Sequence, residues 1–254
     1  MKLVDPIMKI VRKNLTIRHR RALRIILAHL FPWNLNQLAV IYGSDKWGGH
    51  YYTGHYHEHF RKLRYKKLKI LEIGVGGYDD PHYGGASLRM WKRYFPNSMI
   101  YAIDIYDKSP LQEHRIKIFQ GSQADEDFLK KVSAEAGPFD IIIDDGSHVV
   151  EHVLTSFKTL FPLMKEDGIY VVEDIETSYF SSYGGNSKRL DDPKTSMNFL
   201  KQLTDCLNYQ KFLLPNYIPN FYDENIVSMH FYHNLVILHK GHNPQTSYPP
   251  KPVD

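Results

Sequence analysis

The 254-residue chain has a single cysteine, Cys206, and no apolar run long enough to span a bilayer. One thiol excludes an internal disulfide and a thiolate-only zinc site, and it fits a reducing compartment, so a cytoplasmic location is expected. The apolar stretch from Arg21 to Phe31 is interrupted by Arg24 and His29 and falls short of the ~20 residues of a transmembrane helix. It also lacks a small-residue cleavage site, so no signal peptide is expected, and the Asn14-Leu15-Thr16 sequon is discounted with it. Internal repeats are absent. With 43% hydrophobic and 24% charged residues, the composition excludes a largely disordered chain, a collagen-like repeat and a multi-span membrane protein.

The net charge of +4 is unevenly spread. Residues 1–30 carry eight Lys/Arg against Asp5 alone (+7), which leaves 24 basic and 27 acidic groups (−3) in residues 31–254. A mildly acidic body argues against a nucleic-acid-binding core. Within the arm, Arg21 to Phe31 reads as a short amphipathic helix stopped at Phe31-Pro32. Packing on the body or on a second subunit of a homo-oligomer is one reading of it. Peripheral contact with acidic lipid through the basic residues is the other.

From residue 68 the pattern alternates strand and helix. Strands are expected at Lys69–Ile73, Met99–Ile105, Ile116–Gln120, Phe139–Asp144 and Gly168–Glu173. Helices are expected at Ala86–Phe95, Asp125–Ala134 and Val149–Met164. Continuous apolar strands separated by helices mean an α/β fold with a parallel sheet covered on both faces. A helix over Thr195–Leu207 comes next, then two β-rich runs, Ile226–Phe231 and Leu235–Leu238, split by three residues. So tight a connection makes an antiparallel hairpin appended to the parallel sheet. The organisation expected is a basic helical arm over 1–34, one catalytic domain over 35–240 and a proline-rich, disordered tail over 241–254.

Ligands of open α/β sheets bind at the carboxyl ends of the strands, so the polar residues there carry the functional reading. After the first strand comes Glu72-Ile73-Gly74-Val75-Gly76-Gly77, whose glycines permit a tight turn and close approach to a ligand. Asp104 ends the second strand, where an acid can accept hydrogen bonds from both ribose hydroxyls of a nucleoside cofactor, or else cap a turn. Ser122 and Gln123, after the third strand, are placed to flank the base.

Asp144-Asp145-Gly146-Ser147-His148 comes after the fourth strand and Glu173-Asp174 ends the fifth. Four carboxylates brought to neighbouring strand ends repel one another unless a hard divalent cation such as Mg²⁺, Mn²⁺ or Ca²⁺ resolves the repulsion. Capping roles account for one or two of them and not for all. His148 stands beside this group at the start of a helix, where an imidazole is a competent general base. His152 is the competing candidate, read as a supporting or exposed residue. The aromatic and histidine-rich stretch Tyr42 to Tyr56 reads either as a lid over a cofactor or as packing between arm and body. The loop from Thr177 to Leu190 is placed to shape an acceptor pocket.

The strings YGSDKWGGHYYTGHY, LEIGVGGY, GGASLRMWKRYFP, FDIIIDDGSH and VVEDIETSY resemble the catalytic domain of the macrolide-sugar O-methyltransferases, the mycinamicin and tylosin deoxysugar enzymes. Rhamnosyl methyltransferases and proteins labelled cephalosporin hydroxylase are more distantly similar. The resemblance covers about residues 35–240. It implies a seven-stranded, Rossmann-like class I methyltransferase sheet that uses S-adenosylmethionine and Mg²⁺ (or Mn²⁺) to methylate a sugar hydroxyl of a glycosylated small molecule or glycan. On matching positions it implies Asp145, Glu173 and Asp174 as metal ligands and His148 as general base. Glu72, Gly74 and Gly76 line the methionine end of the cofactor and Asp104 its ribose, with Ser44, Ser87, Ser122, Gln123, Asp144 and Asp145 completing the contacts. Where the longest members have a large N-terminal domain, this sequence has the basic residues 1–34, which leaves assembly and acceptor open. A catechol-like vicinal diol as acceptor and an NAD-dependent oxidoreductase are the alternatives.

Overall fold

The computed structural model describes residues 17–243; the sequon at Asn14 and the proline-rich tail beyond Asn243 lie outside the described residues. Seven strands form one sheet in the order β3-β2-β1-β4-β5-β7-β6. Its strands are β1 (Lys69–Ile73), β2 (Met99–Asp104), β3 (Ile116–Gln120), β4 (Ile141–Asp144), β5 (Ile169–Glu173), β6 (Ile226–Tyr232) and β7 (Leu235–Lys240). The first five pair in parallel wherever their register is defined, and β7 runs antiparallel to both β5 and β6. This is the mixed, mostly parallel α/β sheet with a terminal hairpin that the alternating pattern predicts. The chain divides into two compact units, residues 1–120 and 121–254.

In the first unit, α1 (Ile17–Leu30), α2 (Leu35–Tyr42) and α3 (Thr53–Phe60) precede β1, and α4 (Ala86–Tyr94) comes after it. The helix α1 ends one residue before the Phe31-Pro32 stop. Asn34 caps α2, its side chain accepting from the Gln37 N–H, and Gly43 closes the helix in the left-handed conformation at φ 81°. Helix α3 lies partly in the aromatic stretch that the sequence leaves open between lid and packing. Tyr52, Tyr56 and Phe60 are buried there, and Tyr56 and Phe60 meet Trp91 edge-on at ring-centroid distances of 5.0 and 6.0 Å. Those residues pack; Tyr51, just before them, stays exposed.

In the second unit, α5 (Glu126–Ala136) starts at Asp125, whose side chain accepts from the Phe128 N–H, and acids fill its first turn, as the helix dipole favours. Helix α6 (Val150–Leu163) leads into β5, of which every residue is buried. The helix expected over Thr195–Leu207 is shorter. α7 spans Ser196–Gln202, and a 3₁₀ segment, Asp205–Lys211, comes next with a kink at Asn208. Thr204 explains the stop, since its hydroxyl bonds back to the Lys201 carbonyl at 2.6 Å and competes with the helical ladder. A short α8 (Phe221–Asn225), closed by a reciprocal capping box between Asn220 and Asp223, precedes the hairpin. Among the described residues no helix is long and apolar enough to cross a membrane.

Candidate active site

In the first unit, β1 runs buried into Glu72 and Ile73 and then turns through Gly74, Gly76 and Gly77 at φ 96°, 75° and 81°. Only glycine adopts such angles without steric cost. A side chain added at Gly76 would meet nothing within 4 Å, so the main chain at this point borders open space. Asp104 faces the same turn. Its Oδ2 accepts the Val75 N–H at 2.9 Å and its Oδ1 accepts the Tyr106 N–H at 2.9 Å. A carboxylate offers about four acceptor sites, so each oxygen keeps capacity for one more donor. Asp104 therefore caps the turn, and its carboxylate retains acceptor capacity beyond these two bonds.

Glu72 is placed differently. It has no exposed surface and forms an ion pair with Lys46, itself fully buried, at 3.3 Å. Lys46 is a residue that sequence reasoning passed over. A charge at the end of a buried strand demands a buried counter-charge, and Lys46 is a cation in the segment before β1. Ser44, also buried, accepts the Lys46 N–H at 3.4 Å, so it shapes the turn that delivers the ammonium. Ser87 lies half-buried in the first turn of α4.

In the second unit, Asp144 ends β4 fully buried. It accepts from Gln123 Nε2 at 3.1 Å, from the Ser156 hydroxyl, and from the Tyr170 hydroxyl at 3.3 Å. Burial pushes its carboxyl above the ordinary range, and the hydrogen bonds from Ser156 and Gln123 oppose that push. Gln123 Oε1 in turn accepts the Ser147 N–H at 2.7 Å, tying the loop after β4 to the loop after β3. Ser122 stays local, its hydroxyl accepting the Ala124 N–H.

Beyond this support the next acids converge. Asp145, His148 and Asp174 each offer a ligand atom within 4.8 Å of the others, and all three are partly exposed. His148 Nε2 lies 3.9 Å from Asp145 Oδ1 and 3.6 Å from Asp174 Oδ2. Both His148 and Asp174 hold the left-handed conformation, at φ 57° and 51°. Such angles are uncommon for L-residues and carry a conformational cost, although Asp and His adopt them more readily than most. The Thr177 hydroxyl, missed by sequence reasoning as a supporting group, lies 3.0 Å from both the His148 and the Asp174 carbonyls. Glu173 is buried at the end of β5 and lies outside the group of three. His152 is also outside it, its Nδ1 2.8 Å from the Ser147 hydroxyl. A separate cavity of about 600 Å³, lined by residues between Gln202 and Asp223, contains none of the residues singled out from the sequence.

The three residues suit a hard divalent cation, for their donors are two carboxylate oxygens and one imidazole nitrogen, with no sulfur. No protein-family model matches the chain. Individual proteins do. It is 44% identical over 228 residues to 8-demethyl-8-(2-methoxy-alpha-L-rhamnosyl)-tetracenomycin-C 3'-O-methyltransferase of Streptomyces olivaceus, covering 88% of this chain and 58% of that protein. It is 45% identical over 218 residues to mycinamicin VI 2''-O-methyltransferase of Micromonospora griseorubida, covering 85% of this chain and 55% of that one. The solved structure of the MycE methyltransferase in complex with Mg, SAH and mycinamycin VI superposes with a TM-score of 0.83 at 45% identity, over 87% of this chain and 57% of that one. The chain thus spans a little over half the length of the relatives it matches. Over most of its own length the chain is similar to these O-methyltransferases, and its fold matches the corresponding part of the MycE structure.

Proposed function

We propose that the chain is an S-adenosylmethionine- and Mg²⁺-dependent O-methyltransferase acting on a sugar hydroxyl of a glycosylated small molecule or glycan, with residues 35–240 as its catalytic part. The observation that carries this reading is the convergence of Asp145, His148 and Asp174 on backbone held in a costly conformation. Relatives that methylate sugars on macrolides and tetracenomycins, one of them solved with Mg and SAH, support the cofactor and the acceptor class.

In the proposed site Asp145, Glu173 and Asp174 hold the metal. When bound, the cation supplies Lewis acidity that lowers the pKa of an acceptor hydroxyl. His148 takes the hydroxyl proton on its imidazole as the oxygen attacks the sulfonium methyl in line, the O–CH₃ bond forming as the S–CH₃ bond breaks and S-adenosylhomocysteine leaves. Asp104 receives the cofactor's ribose hydroxyls, and the open main chain at Gly76 lets the cofactor approach the end of β1. Holding both reactants in line contributes much of the acceleration.

The position of His148 within the ligand-atom group favours a second assignment, in which the imidazole is a metal ligand in place of Glu173. Calorimetry separates the two. His148→Ala with Mg²⁺ affinity unchanged and turnover lost supports the base; a loss of Mg²⁺ affinity matching that of Asp174→Asn makes it a ligand. The overall reading is tested by titrating S-adenosylhomocysteine into the wild type and Asp104→Ala, with and without Mg²⁺. Binding that is lost in the variant supports the cofactor class. Absence of binding in both proteins removes the methyltransferase reading, and NAD(H) is then the next ligand to titrate.

A further inference from the structure

Between the glycine turn and α4 the first unit carries an insertion, Tyr78 to Gly85, that is unusually well fastened. The main chain closes tightly on itself at its base. A Cβ at Gly77 would lie 2.1 Å from the Tyr83 carbonyl oxygen, and one at Gly84 would lie 2.3 Å from that of Gly76. The Gly85 N–H donates to the Val75 carbonyl at 2.7 Å, and the Arg89 guanidinium reaches the Gly84 and Gly85 carbonyls. Tyr78 is left-handed at φ 47° with its ring exposed.

The unusual member of this assembly is Lys108. Its side chain is 1% exposed, and among the described residues no carboxylate lies within ion-pair distance of it. Its ammonium donates to two main-chain carbonyls of the insertion, Asp80 at 2.7 Å and Tyr83 at 3.0 Å. A buried ammonium without a counter-charge is costly and is retained where its hydrogen bonds organise something. Lys108 stands four residues beyond Asp104, whose Oδ2 holds the Val75 N–H at the other end of the same turn. The glycine turn is thus gripped from both sides by one short stretch of chain.

We propose that Lys108 is a positioning residue for the cofactor: it fixes the 76–85 loop, and with it the glycine turn facing Asp104, before any ligand arrives. This rests on the cofactor reading above. Preorganisation of this kind strengthens binding because the ordering cost is met on folding.

The test uses Lys108→Met, which keeps the volume and removes the donors, beside Lys108→Arg, which keeps charged donors. Hydrogen exchange on the ligand-free chain reads the fastening, and S-adenosylhomocysteine calorimetry reads its consequence. The expected result is faster exchange of amides 77–85 in Lys108→Met and about tenfold weaker S-adenosylhomocysteine binding, the loss of one charge-assisted contact, with Mn²⁺ affinity unchanged and Lys108→Arg binding tighter than Lys108→Met. Should Lys108→Met not fold, Gly84→Ala strains the same loop without touching the lysine, and the same loosening and loss are expected. Unchanged exchange, affinity within twofold of wild type, or arginine no better than methionine each overturns the proposal. Failure of the wild type to bind S-adenosylhomocysteine is a separate result, which removes the methyltransferase reading and the cofactor role together.

Discussion

The glycine turn after β1 and the acidic cluster both use left-handed backbone, and they assign it to different residues. In the turn after β1 it falls mainly on glycines, at Gly74, Gly76 and Gly77, and then on Tyr78, whose ring is exposed. In the acidic cluster it falls on His148 and Asp174, which are the side chains in question. Where a ligand is met by bare main chain, glycine takes the angle at little steric cost. Where chemistry needs an imidazole and a carboxylate at one point, the strained residue cannot be glycine, and neighbouring bonds must hold it. Thr177 does this for both carbonyls. The first region is a shape built by omission of side chains; the second is a charge arrangement built against backbone preference.

That contrast can be broken or sharpened by substitution. The largest effect is expected from His148→Ala, which lowers turnover by about 10²–10⁴-fold, the range of a general base, while S-adenosylhomocysteine titration stays unchanged. Lys46→Met is next. It removes the buried counter-charge facing the Glu72 carboxylate, and urea unfolding should show a loss of about 3–5 kcal/mol, typical of half a buried pair. Gly77→Ala drives a Cβ into the Tyr83 carbonyl and is expected to cost about 2–3 kcal/mol with weaker cofactor binding, whereas Gly76→Ala, with open space around it, costs only the left-handed penalty of about 1 kcal/mol. The two alanines, compared in one thermal-unfolding series, separate steric from conformational demand. Equal losses would show that approach to Tyr83 does not matter.

Smallest in stability is Thr177→Val, about 1 kcal/mol for one hydrogen-bonding hydroxyl. It should nonetheless reduce Mg²⁺ affinity, because the strained loops at His148 and Asp174 lose their shared donor. Metal affinity unchanged by Thr177→Val would mean that the two left-handed residues are held by packing alone.

Much of the fold is legible along the chain. The strands β1 and β3 match their expected ranges, and the others differ by a few residues at their ends, since continuous apolar runs bounded by glycine and acid carry their own punctuation. The acidic residues at Asp144, Asp145, Glu173 and Asp174 stand out for the same reason: strand ends are identifiable, and the residues just past them in sequence lie close to the sheet edge in space. Less legible is the division of labour among them. Nothing in a run of two aspartates distinguishes the one that is buried and spent on Gln123, Ser156 and Tyr170 from the one beside His148. The cations are equally hidden. Lys46 and Lys108 read as ordinary surface lysines, and their burial depends on partners 26 and 25–28 residues away in sequence.

The sequence by itself determined the alternation of apolar strands and amphipathic helices, the glycine turn and the placing of acids at strand ends, because each depends on local residue preference and short-range periodicity. Only the tertiary structure decided that Tyr52, Tyr56 and Phe60 are buried while Tyr51 is exposed, that Glu72 faces a buried ammonium, and that His148 sits between two carboxylates. Those outcomes depend on which distant atoms arrive beside a side chain, and burial, charge pairing and backbone strain acquire a sign only once that company is known.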